Sequence, residues 1–218
     1  MTTAAEVVAE LSALADPAEH AKILGRVGDP EAVLGVRMRD VFGLAKRHTS
    51  LDLTEIAALL AEPSYEARMV AVSILDFKAR RRAAPAERRS WAELYLDNHD
   101  RLDQWDFVDR AAPRVIGGWL LEADRTERSI LAELAASPDP NRRRTAITAT
   151  FWLIRHGQPD DALAIAERLV DDPEVLVRNS VGVALREVGR VDVGRRDAFL
   201  AEHGERISRP VRRVAVSA

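Results

Sequence analysis

A turn followed by an arginine and an apolar helix returns about every 35 residues, and this return restricts the chain to a narrow set of folds. SYEARMVAVSIL at 64–75, PNRRRTAITATF at 140–151, EVLVRNSVGVAL at 174–185 and SRPVRRVAVSA at 208–218 align without strain. Each opens on a turn residue or an acid, reaches an Arg, and continues in small and aliphatic residues. The alignment puts Arg68, Arg144, Arg178 and Arg213 in one slot, the last three separated by 34 and 35 residues. Elsewhere apolar residues recur at three and four (Val7, Leu11, Leu14; Ile56, Leu59, Leu60; Ile147, Phe151, Ile154; Val181, Leu185, Val188), the helical period. Pro and Gly fall between these blocks, and no period-two alternation lasts long enough for a strand.

A repeat of this length is one helical hairpin of the HEAT, armadillo or TPR kind. A single hairpin cannot bury its apolar face, so neighbours stack. The expectation is an all-α fold: a right-handed α-solenoid of HEAT-like hairpin repeats, an α-α superhelix with a concave groove, filling residues 1–218 as one domain.

Composition narrows the function classes. Hydrophobic residues make up 47% and charged residues 31%, a globular balance. There is no Cys, which excludes disulfides, thiolate zinc sites and a cysteine nucleophile. The five His are scattered without paired helical spacing, so no metal site is expected, and no Gly-rich phosphate loop is present. No cofactor is expected. The opening lacks a basic start and a long apolar run, and no stretch is long enough to span a bilayer. A cytoplasmic protein without membrane association is expected.

The formal net charge of −3 argues mildly against a nucleic-acid partner, but the charge is uneven. Residues 1–35 hold six acids and two bases; residues 178–218 hold nine Arg and five acids. From Lys78 to Arg89, six basic residues face Glu87 alone. Local field decides phosphate attraction more than the total does. The repeated Arg fits either a row of solvated or capping side chains or a row of phosphate contacts, for which a planar multi-donor head is suited.

Counting 35 back from Arg144 reaches Asp109, in DQWDFVD at 103–109. Trp105 and Asp109 are four apart, hence on one helix face. A carboxylate among phosphate-binding arginines costs affinity unless it does what they cannot, such as stabilising positive charge on a sugar or positioning water. Taken alone, the spacing reads Trp105 first as a core anchor. For Asp103 and Asp106 the reading is an N-terminal helix cap.

At these residues the chain resembles the AlkD-like DNA alkylation repair family. QWDFVDRAAPRVIGGWL at 104–120 resembles the family's N-W-D-x-V-D…A-P-x-[IV]-[IV]-G segment, the most specific match. GVRMRDVFGLAKRH at 35–48, YEARMVAVSIL at 65–75, RRRTAITATFWLIR at 142–155, VRNSVGVALREVGR at 177–190 and ISRPVRRVAV at 207–216 resemble further family segments in the same order. The resemblance implies a monofunctional glycosylase that releases N3- and N7-alkylated purines from duplex DNA without a base-specific pocket. It places the catalytic carboxylate on Asp109, the sugar-contacting indole on Trp105 and a phosphate-contacting guanidinium on Arg144. The expected DNA-binding set is Arg68, Arg144, Arg178, Arg209 and Arg213, in a protein acting as a monomer. The chain departs from the family at Val183, where a second groove Trp is expected, at Arg178-Asn179 in place of a His-Lys pair, and at Arg39 in place of Pro. Trp119 and Trp152 are read as core residues. The competing readings are a non-catalytic DNA-binding relative, which the loss of the second Trp favours, and a protein-binding repeat scaffold.

Overall fold

A computed structural model describes residues 2–217, and its described residues form thirteen α-helices and three short 3-10 turns with no strand. Two compact units divide the chain between Ala111 and Ala112.

The first unit contains α1 (Ala4–Ser12), α2 (Pro17–Val27), α3 (Met38–Arg47), α4 (Leu53–Ala61), α5 (Tyr65–Ala79), α6 (Pro85–Asp97) and the opening of α7 (Trp105–Glu122). Helix starts follow local chemistry. Thr3 and Glu6 form a capping box on α1, Asp16 caps α2 ahead of Pro17, and Asp52 caps α4. Each such cap contributes about 1 kcal/mol. Helix α5 packs on both α3 and α4, and its residues from Tyr65 to Asp76 are all buried.

An all-buried helix is expected to be apolar all round, yet α5 carries Glu66, Arg68, Ser73 and Asp76. Each has partners. The fully buried Glu66 carboxylate accepts the backbone N–H groups of Leu34 (3.0 Å), Gly35 (2.8 Å) and Val36 (3.1 Å), fastening the segment before α3 onto α5. Gly35 is at φ +89°, and a Cβ there would lie 2.7 Å from the Asp16 carbonyl, so only glycine fits this turn. Asp76, also fully buried, accepts from Arg80 Nη2 (2.7 Å) and faces Arg110 Nη1 at 3.1 Å; Arg110 Nε donates to Ser73 Oγ (2.9 Å).

The second unit holds the rest of α7, then α8 (Ser129–Ala135), α9 (Pro140–Arg155), α10 (Asp160–Leu169), α11 (Val175–Val191), α12 (Val193–Glu202) and α13 (Arg209–Ala215). Helices α9, α11 and α13 are successive neighbours, with α8, α10 and α12 packed against them, so hairpins stack in two layers as the repeat requires. Ile147, Ile154, Val181, Leu185 and Val188 are fully buried at the spacing read from the sequence, and Phe151 is half-buried. Each full burial stabilises the unit by about 1.5–3 kcal/mol. Gly117 allows α7 to approach α9 closely: a Cβ there would lie 2.2 Å from the Ala149 carbonyl. Helix α7 also contains Pro113 in its interior; a proline brings no N–H to the carbonyl four residues earlier, which is that of Asp109.

Hydrogen bonds reveal what the repeated arginine does, and they correct its register. Arg68 donates to the Pro63 carbonyl (3.3 Å), Arg143 to the Pro138 carbonyl (2.9 Å) and Arg178 to the Pro173 carbonyl (3.0 Å). In each case a proline carbonyl in the preceding turn is bonded by the Arg five residues on. The slot that makes this bond is therefore Arg68, Arg143 and Arg178, not Arg144; Arg213 follows at the same 35-residue step without it. Counting 35 back from Arg143 reaches the buried Val108. Asp109 and Arg144 each stand one residue further along their own helix, about 100° round from that position.

Candidate active site

Helix α7 opens with residues of opposite fates. Phe107 and Val108 are fully buried, while Trp105 (37% exposed) and Asp109 face solvent. With Cβ atoms at i and i+4 about 5–6 Å apart, the indole and the carboxylate share one accessible face. The core-anchor reading of Trp105 does not hold; Phe107 is the anchor, its ring stacked on Tyr65 at 5.1 Å between centroids.

A polar network fixes this first turn from behind. Tyr65 donates its hydroxyl to Asp106 Oδ2 (2.6 Å), Arg26 Nη2 donates to the Tyr65 hydroxyl oxygen (2.6 Å), and Arg26 Nη1 lies 2.9 Å from the same Asp106 oxygen. The Arg26 guanidinium also covers the Tyr65 ring at 4.8 Å. Burial, reinforced by the Asp106 carboxylate, raises the Tyr65 pKa, so its hydroxyl remains a donor at neutral pH. Asp106 was expected to cap the helix. Its Oδ2 instead serves Tyr65 and Arg26, and its buried Oδ1 has no hydrogen-bond partner. Asp103 pairs with Arg68 at 2.9 Å. The i, i+3 relation of Asp106 and Asp109 thus turns one carboxylate inward and leaves the other outward.

A family profile described as "DNA alkylation repair enzyme" matches residues 7–218. The chain belongs to that family. A solved structure described as a predicted DNA alkylation repair enzyme from Enterococcus faecalis has the same fold, with a TM-score of 0.71 at 17% identity, covering 92% of this chain and 94% of that one. No curated protein matches the sequence.

The other arginines expected to contact DNA in this DNA alkylation repair family member differ in accessibility. Arg68 is buried; Nη1 donates to the Arg101 carbonyl and Asp103, and its guanidinium lies 5.4 Å from the Phe107 ring centre. Arg144 is buried, with Nη1 on the Leu176 carbonyl at the start of α11. Arg178 is half-buried and bonded to the Asp172 and Pro173 carbonyls. Arg209 and Arg213 are exposed on α13, and their side chains make no hydrogen bond or ion pair with another described residue. Val183 is half-buried on α11, and Trp119 is buried as expected; Trp152 is half-buried under the Arg114 guanidinium at 5.0 Å.

Sequence reasoning missed Arg26 and Tyr65 as supports of the α7 opening. Tyr65 stands in the YEARM segment, but nothing local marks its link to Asp106, 41 residues away. Among described residues no group of three or more His, Asp or Glu is arranged to hold a metal. No helix among them is long and apolar enough to cross a membrane.

Proposed function

We propose that this family member hydrolyses the N-glycosidic bond of N3- or N7-alkylated purines in duplex DNA, with Asp109 and Trp105 acting on the deoxyribose. The observation that carries this reading is the pairing of an accessible indole with an accessible carboxylate on one face of α7, braced by buried aromatic and ionic contacts. An alkylated purine is cationic and a good leaving group. Breakage of the C1′–N bond sends its electrons to the base, which departs neutral, and leaves positive charge on the sugar. The Asp109 carboxylate stabilises that charge, the Trp105 face adds cation–π attraction, and water bonds to C1′ while its proton passes to Asp109.

Exposed Arg209 and Arg213 suit phosphate contacts directly. Arg68 and Arg178 serve the turns of their own hairpins, and any contribution to DNA affinity is through long-range charge. Arg144, positioned by the Leu176 carbonyl, is proposed as the lesion-side phosphate contact on the strength of the family resemblance. A monomer in the cytoplasm, its repeats forming one concave DNA-binding domain, completes the proposal. Val183 specifically favours the alternative of a DNA-binding relative without turnover, since an aromatic wall is absent there.

Release of 7-methylguanine and 3-methyladenine from methylated duplex decides between them. Asp109→Asn is expected to slow release at least about 100-fold while duplex affinity is kept. Wild-type protein that binds duplex but releases neither base supports the non-catalytic alternative.

A further inference from the structure

The basic run after α5 has no part in the proposed chemistry, yet the fold gathers it with a second set of cations. Helices α3 and α5 are packed side by side. At one end Tyr65 Oη approaches Met38 Sδ at 4.0 Å; at the other, Arg81 Nη2 donates to Thr49 Oγ1, and Thr49 donates to the Lys46 carbonyl. The two helices therefore run parallel, and their C-terminal ends bring Lys46, Lys78, Arg81 and Arg82 onto one surface.

Most basic residues nearby are neutralised or structural. Arg47 pairs with Glu10, Arg80 with Asp76 and Arg89 with Glu93, while Arg88 donates to the Ala79 and Arg81 carbonyls. The four remaining cations are different. Among the described residues the Arg81 side chain meets only the neutral Thr49 hydroxyl. Lys46 and Arg82 are exposed without an ion pair to another described residue. Lys78 is half-buried, and its pKa is lowered first by burial and then by the Arg81 charge. The acids facing Lys78 are Asp52 and Glu87, and each also accepts a capping backbone N–H, from Glu55 and Ala84 respectively. The helix C-termini attract these cations, but that attraction leaves a surplus of positive charge held together in the free protein.

We infer that Lys46, Lys78, Arg81 and Arg82 form a phosphate-binding patch for the backbone of a duplex flank, separate from the Trp105–Asp109 face. The inference rests on the DNA-binding reading above. Asp106 of α7 meets α5 at Tyr65, and Arg110 reaches along α5 to Ser73 and Asp76. The patch lies beyond Asp76, at the C-terminal end of α5, so it reaches backbone flanking the sugar held at Trp105. Guanidinium and ammonium groups in excess over their neighbouring acids, Asp52 and Glu87, suit phosphodiesters, whose bound counterions are released on contact.

The test is duplex affinity of the full chain across a KCl series, measured by fluorescence anisotropy with an unmodified 30-base-pair duplex. It compares wild type, Lys46→Ala/Arg82→Ala, and a charge-matched control, Arg125→Ala/Arg168→Ala. All four replaced side chains are exposed, and matched thermal melts establish folding. The patch variant is expected to lower the slope of log affinity against log salt by about two and to weaken binding about tenfold at 0.1 M KCl, with the control near wild type. An unchanged slope in the patch variant, or an equal loss in the control, overturns the patch while leaving the DNA reading intact. Wild-type protein without duplex affinity at low salt overturns both.

Discussion

Helices α5 and α9, one in each unit, share an ionic joint, an Arg of the long helix on an acid of the next turn (Arg68 on Asp103, Arg143 on Asp172), but only α5 adds buried carboxylates of its own. Glu66 and Asp76 lie within α5 and draw in backbone N–H groups or guanidiniums from elsewhere. For α9 the acid stays in the turn. Arg143 of α9 bonds Asp172 through Nε (2.6 Å) and Nη2 (3.0 Å) while Nη1 takes the Ser137 and Pro138 carbonyls. Among the buried polar groups of α9, Thr148 and Thr150 turn their hydroxyls onto carbonyls of their own helix. The difference teaches that the repeat constrains the polar bond at the turn beside each long helix, but not whether the interior of that helix carries charge of its own.

The most severe way to break this comparison is Glu66→Ala, which orphans three backbone N–H groups beneath α5. It is expected to cost about 4 kcal/mol in urea denaturation; a cost near 1 kcal/mol would mean that the segment before α3 is not fastened there. Next comes a double-mutant cycle on Arg143→Ala and Asp172→Ala. Both groups are largely buried, and a coupling of about 2 kcal/mol is expected. Additive losses would show that the turns, not the pair, hold these hairpins together. A smaller effect, about 1 kcal/mol or less, is expected for Thr148→Val, because only a local hydroxyl–carbonyl bond disappears.

The smallest effect lies at the surface. Hydrogen bonding from Arg206 holds the Asp171 carboxyl below its ordinary pKa. A depressed carboxylate stabilises the fold above its unfolded pKa and loses that contribution as pH falls through the folded value. Asp171→Asn should therefore leave the melting temperature at pH 7 nearly unchanged and flatten its fall below about pH 4. An identical acid limb in wild type and variant would remove Asp171 from the account.

Much of this was legible in the sequence, for reasons that are local. Helical periodicity and turn residues depend on near neighbours, so the all-α hairpin pattern and the i, i+4 relation of Trp105 to Asp109 could be read directly. The slot register could not. Arg142, Arg143 and Arg144 are consecutive, and only the bond from Arg143 to the Pro138 carbonyl singles one out. Asp106 was misread for a related reason. Its position suits a cap, and its true partners, Tyr65 and Arg26, come from distant helices. Conversely, Arg68 looked like an accessible cation because arginine usually is, and its burial depends on Asp103 and Phe107 arriving from α7.

Pro113 has a consequence for how α7 opens. Because the ring interrupts the ladder of amide bonds one turn beyond Asp109, the segment Trp105–Ala112 and the segment after the proline need not unzip together. Amide hydrogen exchange would then register two separate protection levels along one helix, the carboxylate's turn loosening on its own schedule while Val115–Leu120 follow the α9 layer.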